Sequence, residues 1–224
     1  MYHVKEAFYT LQGEGGQAGR ASVFCRFSGC NLWSGREADR TAAACRFCDT
    51  DFIGTDGQNG GRFADAALLA DHLTALWPDR DGQGAKAGTP YVVFTGGEPL
   101  LQLDEPLIQA MHGRGFEVAV ETNGTLPAPA GIDWLCVSPK GRNALAITAG
   151  NELKLVYPQT DAPPEYFAGL AFDHYFLQPM DTGPGAAGLP VDTAVNTTAA
   201  SVAYCLAHPQ WRLSLQTHKI TGID

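Results

Sequence analysis

Three cysteines near the amino terminus, Cys30, Cys45 and Cys48, follow the spacing C-x14-C-x2-C. Three thiolates are one fewer than a closed tetrahedral zinc site or a fully ligated iron–sulfur cluster requires. A cluster held by three cysteines keeps one iron open for a substrate or cofactor. The alternative is a zinc site completed by a histidine or by Cys25, although Cys25 lies in an apolar strand where it would pack as a small hydrophobic residue.

A second group of residues, Thr95-Gly96-Gly97-Glu98-Pro99, directly follows an apolar segment. Two glycines let a backbone approach a ligand closely, and its exposed N–H and C=O groups can hold the charged ends of an amino acid. A tight strand-to-helix turn that needs positive φ would explain the same glycines. Both interpretations place the residues of this turn at the end of a strand.

The surrounding pattern predicts strands alternating with helices. The predicted strands are Ala21–Ser28, Tyr91–Thr95, Phe116–Glu121, Trp134–Val137, Glu152–Val156 and Tyr175–Leu177. The predicted helices are Ala64–Trp77, Pro106–Gly113, Val191–His208 and a short one at Arg36–Ala44, with loops at Asp49–Arg62 and Asp181–Pro190. Such alternation indicates an α/β fold with mostly parallel strands, and about six strands are too few for a full eight-stranded barrel. The active site is expected at the carboxyl ends of the strands.

The composition narrows the class of protein. The 224 residues fit one domain, 1–224, and the net charge of −9 argues against nucleic-acid binding. No apolar run reaches the ~20 residues of a membrane span, and the first residues lack a signal peptide's apolar stretch. We therefore expect a cytoplasmic protein whose six cysteines are thiols or metal ligands.

The cysteine group and the Gly-Gly-Glu turn together resemble the radical S-adenosylmethionine (SAM) superfamily, although the usual spacing there is C-x3-C-x2-C. Further motifs narrow the resemblance to the 7-carboxy-7-deazaguanine synthase family over nearly the whole chain. They are Leu11-Gln12-Gly13-Glu14-Gly15, Cys48-Asp49-Thr50, Glu121-Thr122-Asn123-Gly124, Ser138-Pro139-Lys140, Leu177-Gln178-Pro179-Met180-Asp181 and His218-Lys219. Members with an enlarged first cysteine gap belong to this family.

The resemblance implies an incomplete, modified (β/α)6-type barrel and a carbon–nitrogen lyase of the 7-deazapurine (queuosine) pathway. Its cofactors would be a 4Fe-4S cluster, SAM and Mg²⁺. A 5′-deoxyadenosyl radical would take hydrogen from carbon 6 of 6-carboxy-5,6,7,8-tetrahydropterin, and ring contraction with loss of ammonia would yield 7-carboxy-7-deazaguanine. No protein residue would initiate the radical, since the cofactors carry that step.

The resemblance also implies the roles of individual residues. Cys30, Cys45 and Cys48 would bind the cluster, and Thr50 would bind Mg²⁺. Residues for SAM would be Phe47, Cys48, Asp49, Gly97, Glu98, Glu121, Asn123, Ser138, Pro139, Lys140, Gln178, Pro179, Met180 and Asp181. Residues for the substrate would be Leu11, Gln12, Gly13, Glu14, Arg26, Thr95, His218 and the terminal carboxylate of Asp224.

Chemistry supports several of these assignments and leaves alternatives. A threonine oxygen suits Mg²⁺, and a guanidinium such as that of Arg26 binds a carboxylate bidentately. Taken singly, however, Thr50 could belong to a turn, Gln12, Glu14 and Arg26 to the solvated surface, His218 to the core and Asp224 to a frayed tail.

Two other functions fit parts of the pattern. One is a radical SAM activase that acts on a partner protein, and the other is a zinc-binding interaction module. For the synthase, the resemblance implies an electron donor such as flavodoxin and a homodimer.

Overall fold

The computed structural model describes residues 1–78, 88–181 and 196–223, which form one nine-stranded sheet. Its strands are β1 (Tyr2–Leu11), β2 (Ala21–Phe27), β3 (Gly61–Phe63), β4 (Tyr91–Gly96), β5 (Glu117–Thr122), β6 (Trp134–Val137), β7 (Ala149–Tyr157), β8 (Ala171–Pro179) and β9 (Trp211–Leu213). Their order is β3-β1-β2-β4-β5-β6-β7-β8-β9. Strand β1 is antiparallel to both of its neighbours, whereas every pairing from β2 to β9 is parallel. The parallel strands therefore present their carboxyl ends at one edge of the sheet.

Four α-helices accompany the sheet in the described ranges: α1 (Ala66–Thr74), α2 (Glu105–His112), α3 (Thr197–Ala207) and α4 (Thr217–Thr221). Short 3-10 helices span Gly15–Gln17, Glu37–Ala42, Pro99–Leu101 and Pro164–Tyr166. The first three α-helices begin at side-chain caps: Asp65, Asp104 and Asn196 each accept a backbone N–H from the first turn. Such caps satisfy amide groups that have no partner within the helix. None of the described helices has the length and apolarity that crossing a membrane would require.

The core has two main parts. Helices α1 and α2 pack with β1, β2, β4 and β5 around one cluster, and the second cluster lies under β6–β9 and α3. In strand β7, alternate side chains point to the hydrophobic core on one face of the sheet and away from it on the opposite face. Its Leu153 and Leu155 are fully buried in the second cluster, while Glu152 and Lys154 face the other side of the sheet.

The α/β class with mostly parallel strands is confirmed, as are all six predicted strands. The predicted count of six is wrong because β1, β3 and β9 were not expected. Strands β3 and β9 have three residues each, too few to show alternation, and β3 begins inside the predicted Asp49–Arg62 loop. Strand β1 contains Lys5 and Glu6 beside an irregularity in its register, which obscures its apolar pattern.

The helix predictions hold with changes. The segment Arg36–Ala44 forms a 3-10 helix at Glu37–Ala42 instead of an α-helix. The predicted helix Val191–His208 corresponds to α3, and its residues 191–195 lie outside the described part of the chain. The predicted loop at Asp181–Pro190 likewise falls outside it from residue 182 onward.

Candidate active site

A cavity of about 270 Å³ opens at the carboxyl edge of the parallel strands. Most residues predicted for the site line it, namely Leu11, Gln12, Gly13, Glu14, Arg26, Phe47, Cys48, Asp49, Thr50, Thr95, Gly97, Glu121, Asn123, Ser138, Lys140, Gln178, Pro179, Asp181 and His218. Predicted residues that lie outside the lining are Cys30, Cys45, Glu98, Pro139 and Met180. Asp224 lies outside the described residues, so its role stays a prediction.

The two sequence motifs meet because β2 and β4 are parallel neighbours that end in register, Phe27 opposite Gly96. Beyond these ends, the Glu98 N–H donates to the Gly29 carbonyl at 2.9 Å. A Cβ atom at Gly97 would clash with that same carbonyl and with the Cβ of Cys30. Glycine at position 97 therefore serves close approach between the turn and the cysteine loop.

Glu98 fastens this turn to the end of β5. Its side chain is fully buried, and its carboxylate accepts hydrogen bonds from Thr122 Oγ1 (2.6 Å) and from the backbone N–H groups of Asn123 (2.8 Å) and Leu100 (3.0 Å). Burial raises the pKa of this carboxyl, and the hydrogen bonds oppose that shift. Glu98 thus supports the wall of the cavity from behind.

The three predicted cluster ligands lie in the loops beyond β2. Cys48 lines the cavity, and the neighbouring Cys45 thiol lowers the pKa of Cys48. Cys30 is close enough for Cys48 to influence its charge state, although burial is the main reason that the pKa of Cys30 is raised. Cys25 is fully buried within β2, as expected for a small hydrophobic residue.

The insertion between Cys30 and Cys45 holds the C-x2-C turn through Arg40. Arg40 is only 5% exposed, and its guanidinium lies 4.0 Å from the Trp33 ring centre and donates to the carbonyls of Arg46 and Cys48, both at 2.9 Å. Asn31, the residue after Cys30, accepts from the Asn123 amide at 2.9 Å. The long first gap therefore supports the cysteine turn and the end of β5 without lining the cavity itself.

The donor chemistry of these loops fits an iron–sulfur cluster. In the described ranges no group of three His, Cys, Asp or Glu side chains is arranged to hold a metal ion. The three cysteines nonetheless share one loop region, and one of them reaches the cavity. Thiolates are the usual ligands of such clusters, and a three-cysteine set suits one with an open iron. Thr50, beside Cys48, also lines the cavity.

At the opposite wall, the turn after β1 is joined to β5 and β7 by buried charges. The Lys154 ammonium, on a residue only 3% exposed, lies 2.6 Å from Glu14 Oε2 and 3.2 Å from Glu121 Oε1. Burial opposes both charges, yet Lys154 lowers the pKa of Glu14 to about 2, while Glu121 and Glu14 raise the pKa of Lys154. Glu14 and Lys154 are therefore both ionised at neutral pH.

Glu14 also accepts hydrogen bonds from uncharged side chains in other parts of the chain. Its Oε1 accepts from the side-chain amides of Gln178 (3.1 Å) and Gln216 (3.0 Å). The backbone of Thr217 donates to the Gly13 carbonyl at 3.0 Å, and a Cβ atom at Gly13 would clash with the His218 ring. The segment after β9 thus closes over the turn after β1, which brings His218 to the cavity.

Two cations line the remaining walls. Arg26 donates through Nε to Glu6 at 2.8 Å, and in the described residues its terminal nitrogens make no hydrogen bond to protein. The Lys140 ammonium donates to Ser138 Oγ at 2.5 Å and lies beside the Phe47 ring. Arg26 is therefore able to receive an anionic group from the cavity.

Sequence reasoning missed several residues that line the cavity or hold its walls: Phe8, Phe24, Arg40, Lys154, Val156 and Gln216. It named Thr122 and Lys219 within the family motifs but gave them no role. Lys219 links Asp49 (3.0 Å) with Asp181 (2.5 Å). The sequence did contain a sign of the role of Lys154. In the strand segment ELKLV, leucines flank this lysine, so Lys154 lies on the same face of the strand as Glu152 and on the face opposite the leucines. Gln216 carried no such signal.

Comparisons with known proteins agree with this geometry. The chain is 67% identical over 222 residues to the 7-carboxy-7-deazaguanine synthase of Bordetella pertussis, which covers 99% of both chains. It is 62% identical over 222 residues to that of Bradyrhizobium diazoefficiens (99% of both) and 38% identical over 223 residues to that of Bacteroides thetaiotaomicron (100% of this chain, 99% of the relative). The crystal structure of QueE from Escherichia coli matches with a TM-score of 0.64 and 25% identity, covering 96% of this chain and 93% of that one. No protein-family model matches the chain.

A mostly parallel α/β sheet with a three-cysteine loop and a Gly-Gly-Glu turn at its carboxyl edge defines a protein of the radical SAM class. Two 7-carboxy-7-deazaguanine synthases are 67% and 62% identical to this chain over nearly their full length, which identifies the family within the radical SAM class. The chain belongs to the 7-carboxy-7-deazaguanine synthase family. This confirms the resemblance on which the sequence-based expectations rested.

Proposed function

We propose that this protein is a radical SAM lyase that converts 6-carboxy-5,6,7,8-tetrahydropterin to 7-carboxy-7-deazaguanine with loss of ammonia, in 7-deazapurine (queuosine) biosynthesis. The observation that carries the proposal is that the Cys48 loop, the Gly97 turn and the Gln12–Glu14 turn line one cavity, in a chain of this family. When bound, the 4Fe-4S cluster and SAM would supply the 5′-deoxyadenosyl radical chemistry, directed at substrate carbon 6.

The protein's own residues bind and orient the reactants. Cys30, Cys45 and Cys48 are the proposed cluster ligands. Gly97, Asn123, Ser138, Lys140 and the Gln178–Asp181 segment form the proposed SAM side of the cavity. Glu98, Pro139 and Met180, which do not line it, would act by supporting those segments. Walls that come from the turn after β1, the cysteine loop and the ends of the parallel strands favour exclusion of water and a fixed orientation of the reactants.

The proposed substrate side carries complementary charges. The carboxylates of Glu14 and Glu121 can accept N–H donors, and Arg26 can bind the substrate carboxylate. The resemblance assigned Glu121 to SAM, and we propose a substrate role instead because Glu121 shares the Lys154 ammonium with Glu14. Thr50 is the proposed Mg²⁺ ligand because its hydroxyl is a hard oxygen beside both the cysteine loop and the cavity. Leu11, Thr95 and His218 complete this side, and Asp224 stays the predicted cap for the substrate's nitrogen edge.

We further propose one catalytic domain over residues 1–224, a homodimer, and an electron donor such as flavodoxin. The continuous sheet of the described residues supports the first, and the family resemblance supports the other two. Light scattering after size exclusion tests the dimer. Turnover with reduced flavodoxin as the sole reductant tests the donor.

The deciding experiment is anaerobic reconstitution with iron and sulfide, followed by incubation with SAM and the carboxylated tetrahydropterin. We expect 7-carboxy-7-deazaguanine, ammonia and 5′-deoxyadenosine as products, without any partner protein substrate. Zinc without iron or sulfide would favour the interaction module, and activity that required a protein substrate would favour the activase. Either result would overturn the proposal.

A further inference from the structure

Lys154 closes a ring of hydrogen bonds at the base of the cavity. Its ammonium bonds to Glu14 and Glu121, the Glu14 N–H donates to Gln12 Oε1 at 3.1 Å, and Gln12 Nε2 donates to Glu121 Oε1 at 3.0 Å. The ring joins β7 to β5 and to the turn after β1. It therefore fixes two carboxylates that arrive from separate parts of the fold.

The charges in this ring depend on one another. Glu14 and Glu121 are brought together at a partly buried place, and two neighbouring carboxylates without a cation share a proton instead of both ionising. Lys154 lies between them and is itself almost fully buried, so its charge likewise depends on theirs. Removing the lysine would leave a pair of carboxylates with no compensating charge within the ring.

Unused acceptors remain on the cavity side of the ring. An ionised carboxylate has about four lone-pair sites. Within the described residues, Glu121 Oε2 accepts no hydrogen bond. Among the same residues Gln178 Oε1 also lacks a partner, but protein encloses this atom, so it is not an acceptor for a ligand in the cavity. Gln178 lines the same cavity and donates its amide to Glu14. A ligand that bonds to the remaining lone pairs of the two carboxylates must offer N–H donors close together.

We propose that Lys154 is a positioning residue that keeps Glu14 and Glu121 charged and aimed at the cavity, so that the site selects a ring with adjacent N–H groups. The inference rests on the proposed function, in which the aminopyrimidine edge of the pterin supplies those groups. It adds a residue that does not itself need to touch the substrate. Its effect passes through the two carboxylates.

The surroundings contain other titratable groups that bear on this charge balance. Cys136 of β6 and Glu152 of β7 interact with Lys154, His218 of α4 interacts with Glu14, and Tyr91 of β4 interacts with Glu121 and Glu152. Imidazoles as a class change charge near neutral pH. Parallel measurements in a His218→Gln background therefore isolate the contribution of the carboxylates.

The test compares Lys154→Met with Lys154→Arg in reconstituted holoenzyme. For Lys154→Met we expect the KM for the pterin to rise about ten- to a hundred-fold at pH 7, with kcat changed less than about three-fold and SAM affinity unchanged. Lys154→Arg should stay within about three-fold of the parent because it keeps the charge. Arg114→Met, which breaks the Arg114–Asp71 ion pair in the helical layer, is the control for loss of an ion pair elsewhere.

The pH profile separates charge setting from loss of packing. The ratio of the variant's KM to that of the parent should fall as pH rises from about 6 to 9, because the two carboxylates then ionise without help from the lysine. Ionisation of the pterin cancels in this ratio. A ratio that stays constant over this range would overturn the inference, and so would a Lys154→Arg variant as impaired as Lys154→Met.

A double-mutant cycle keeps the test decisive if Lys154→Met alone folds poorly. Glu14→Gln removes one carboxylate, so adding Lys154→Met to it should change the pterin KM less than about three-fold further. An additional ten-fold rise in that background would show that Lys154 acts on the substrate directly and would contradict the inference. If the parent enzyme itself forms no deazaguanine, the proposed function fails. If it does form the product while the ratios are flat, only the inference fails.

Discussion

The two ends of the cavity are held together by different forces. At the cluster pole, formed by Cys30, Cys45, Cys48 and the Thr95–Pro99 turn, the contacts are the close approach of a glycine and hydrogen bonds from buried side chains to backbone groups. At the substrate pole, formed by Gln12, Glu14, Glu121 and Lys154, the contacts are ion pairs and amide hydrogen bonds between side chains of separate strands. The first pole depends on hydrogen bonds to the backbone, and the second depends on charge balance between side chains.

This difference explains which pole was visible in the sequence. Residues of the cluster pole lie in short motifs that directly follow two strands paired side by side, β2 and β4. Residues of the substrate pole come from the ends of β1 and β5 and the middle of β7, and the segment after β9 adds Gln216. Such a set is assembled only by the complete fold.

The largest expected effect comes from removing a thiol at the cluster pole. Cys45→Ala should lower product formation by on the order of 1,000-fold or more, because a two-cysteine site retains the cluster poorly. Iron content and the visible absorbance of the reconstituted protein check this directly. Cys205→Ala on α3 is the matched control and should keep both cluster and activity. If the Cys45→Ala protein kept the iron content and the turnover of the parent, Cys45 would not be a cluster ligand and this end of the cavity would not be the cluster pole.

The second effect tests whether the cluster pole is held from behind. Glu98→Ala should lower the free energy of unfolding by about 3 kcal/mol, because Thr122 Oγ1 and two backbone N–H groups lose their buried acceptor. Glu98→Gln keeps one acceptor oxygen and should lose roughly half as much. Urea denaturation measures both. Equal stability of Glu98→Ala and the parent would show that the turn is held by its backbone contacts alone.

Features that depend on a local pattern could be predicted from the sequence, whereas contacts between distant residues could not. The α/β class, the six central strands, the cysteine loop and the meeting of the two motifs were predictable, because each depends on local pattern or on the rule that parallel strands end together. Strands β3 and β9 were not, since three residues carry no periodicity. Lys154 and Gln216 act through partners more than a hundred residues away in the chain, and no local pattern specifies such pairs.

A third prediction concerns pH and the substrate pole. The folded-state pKa of Glu14 lies at about 2, below its ordinary value of 4.5, so its stabilisation is complete above pH 4.5 and is lost as pH falls toward 2. The parent should therefore be more stable than Glu14→Gln by roughly 1 to 3 kcal/mol at pH 6, with the difference closing near pH 2. Urea unfolding at several pH values measures the gap. A gap that does not change with pH would mean that charge is not what holds this pole.

The smallest effect should come from Lys219, the cation that links Asp49 with Asp181 at the mouth of the cavity. This ammonium is 39% exposed, so water and salt screen it, and Lys219→Met should change the free energy of unfolding by no more than about 1 kcal/mol. Because both aspartates belong to the proposed SAM side, we expect a few-fold rise in the SAM KM that disappears at high ionic strength. Lys219→Arg is the matched control that preserves the charge. A rise in the SAM KM of Lys219→Met as large as the rise in the pterin KM expected for Lys154→Met would contradict the difference between the two poles. An exposed ion pair and a buried ion pair would then have equal effects, and charge balance would govern both ends of the cavity.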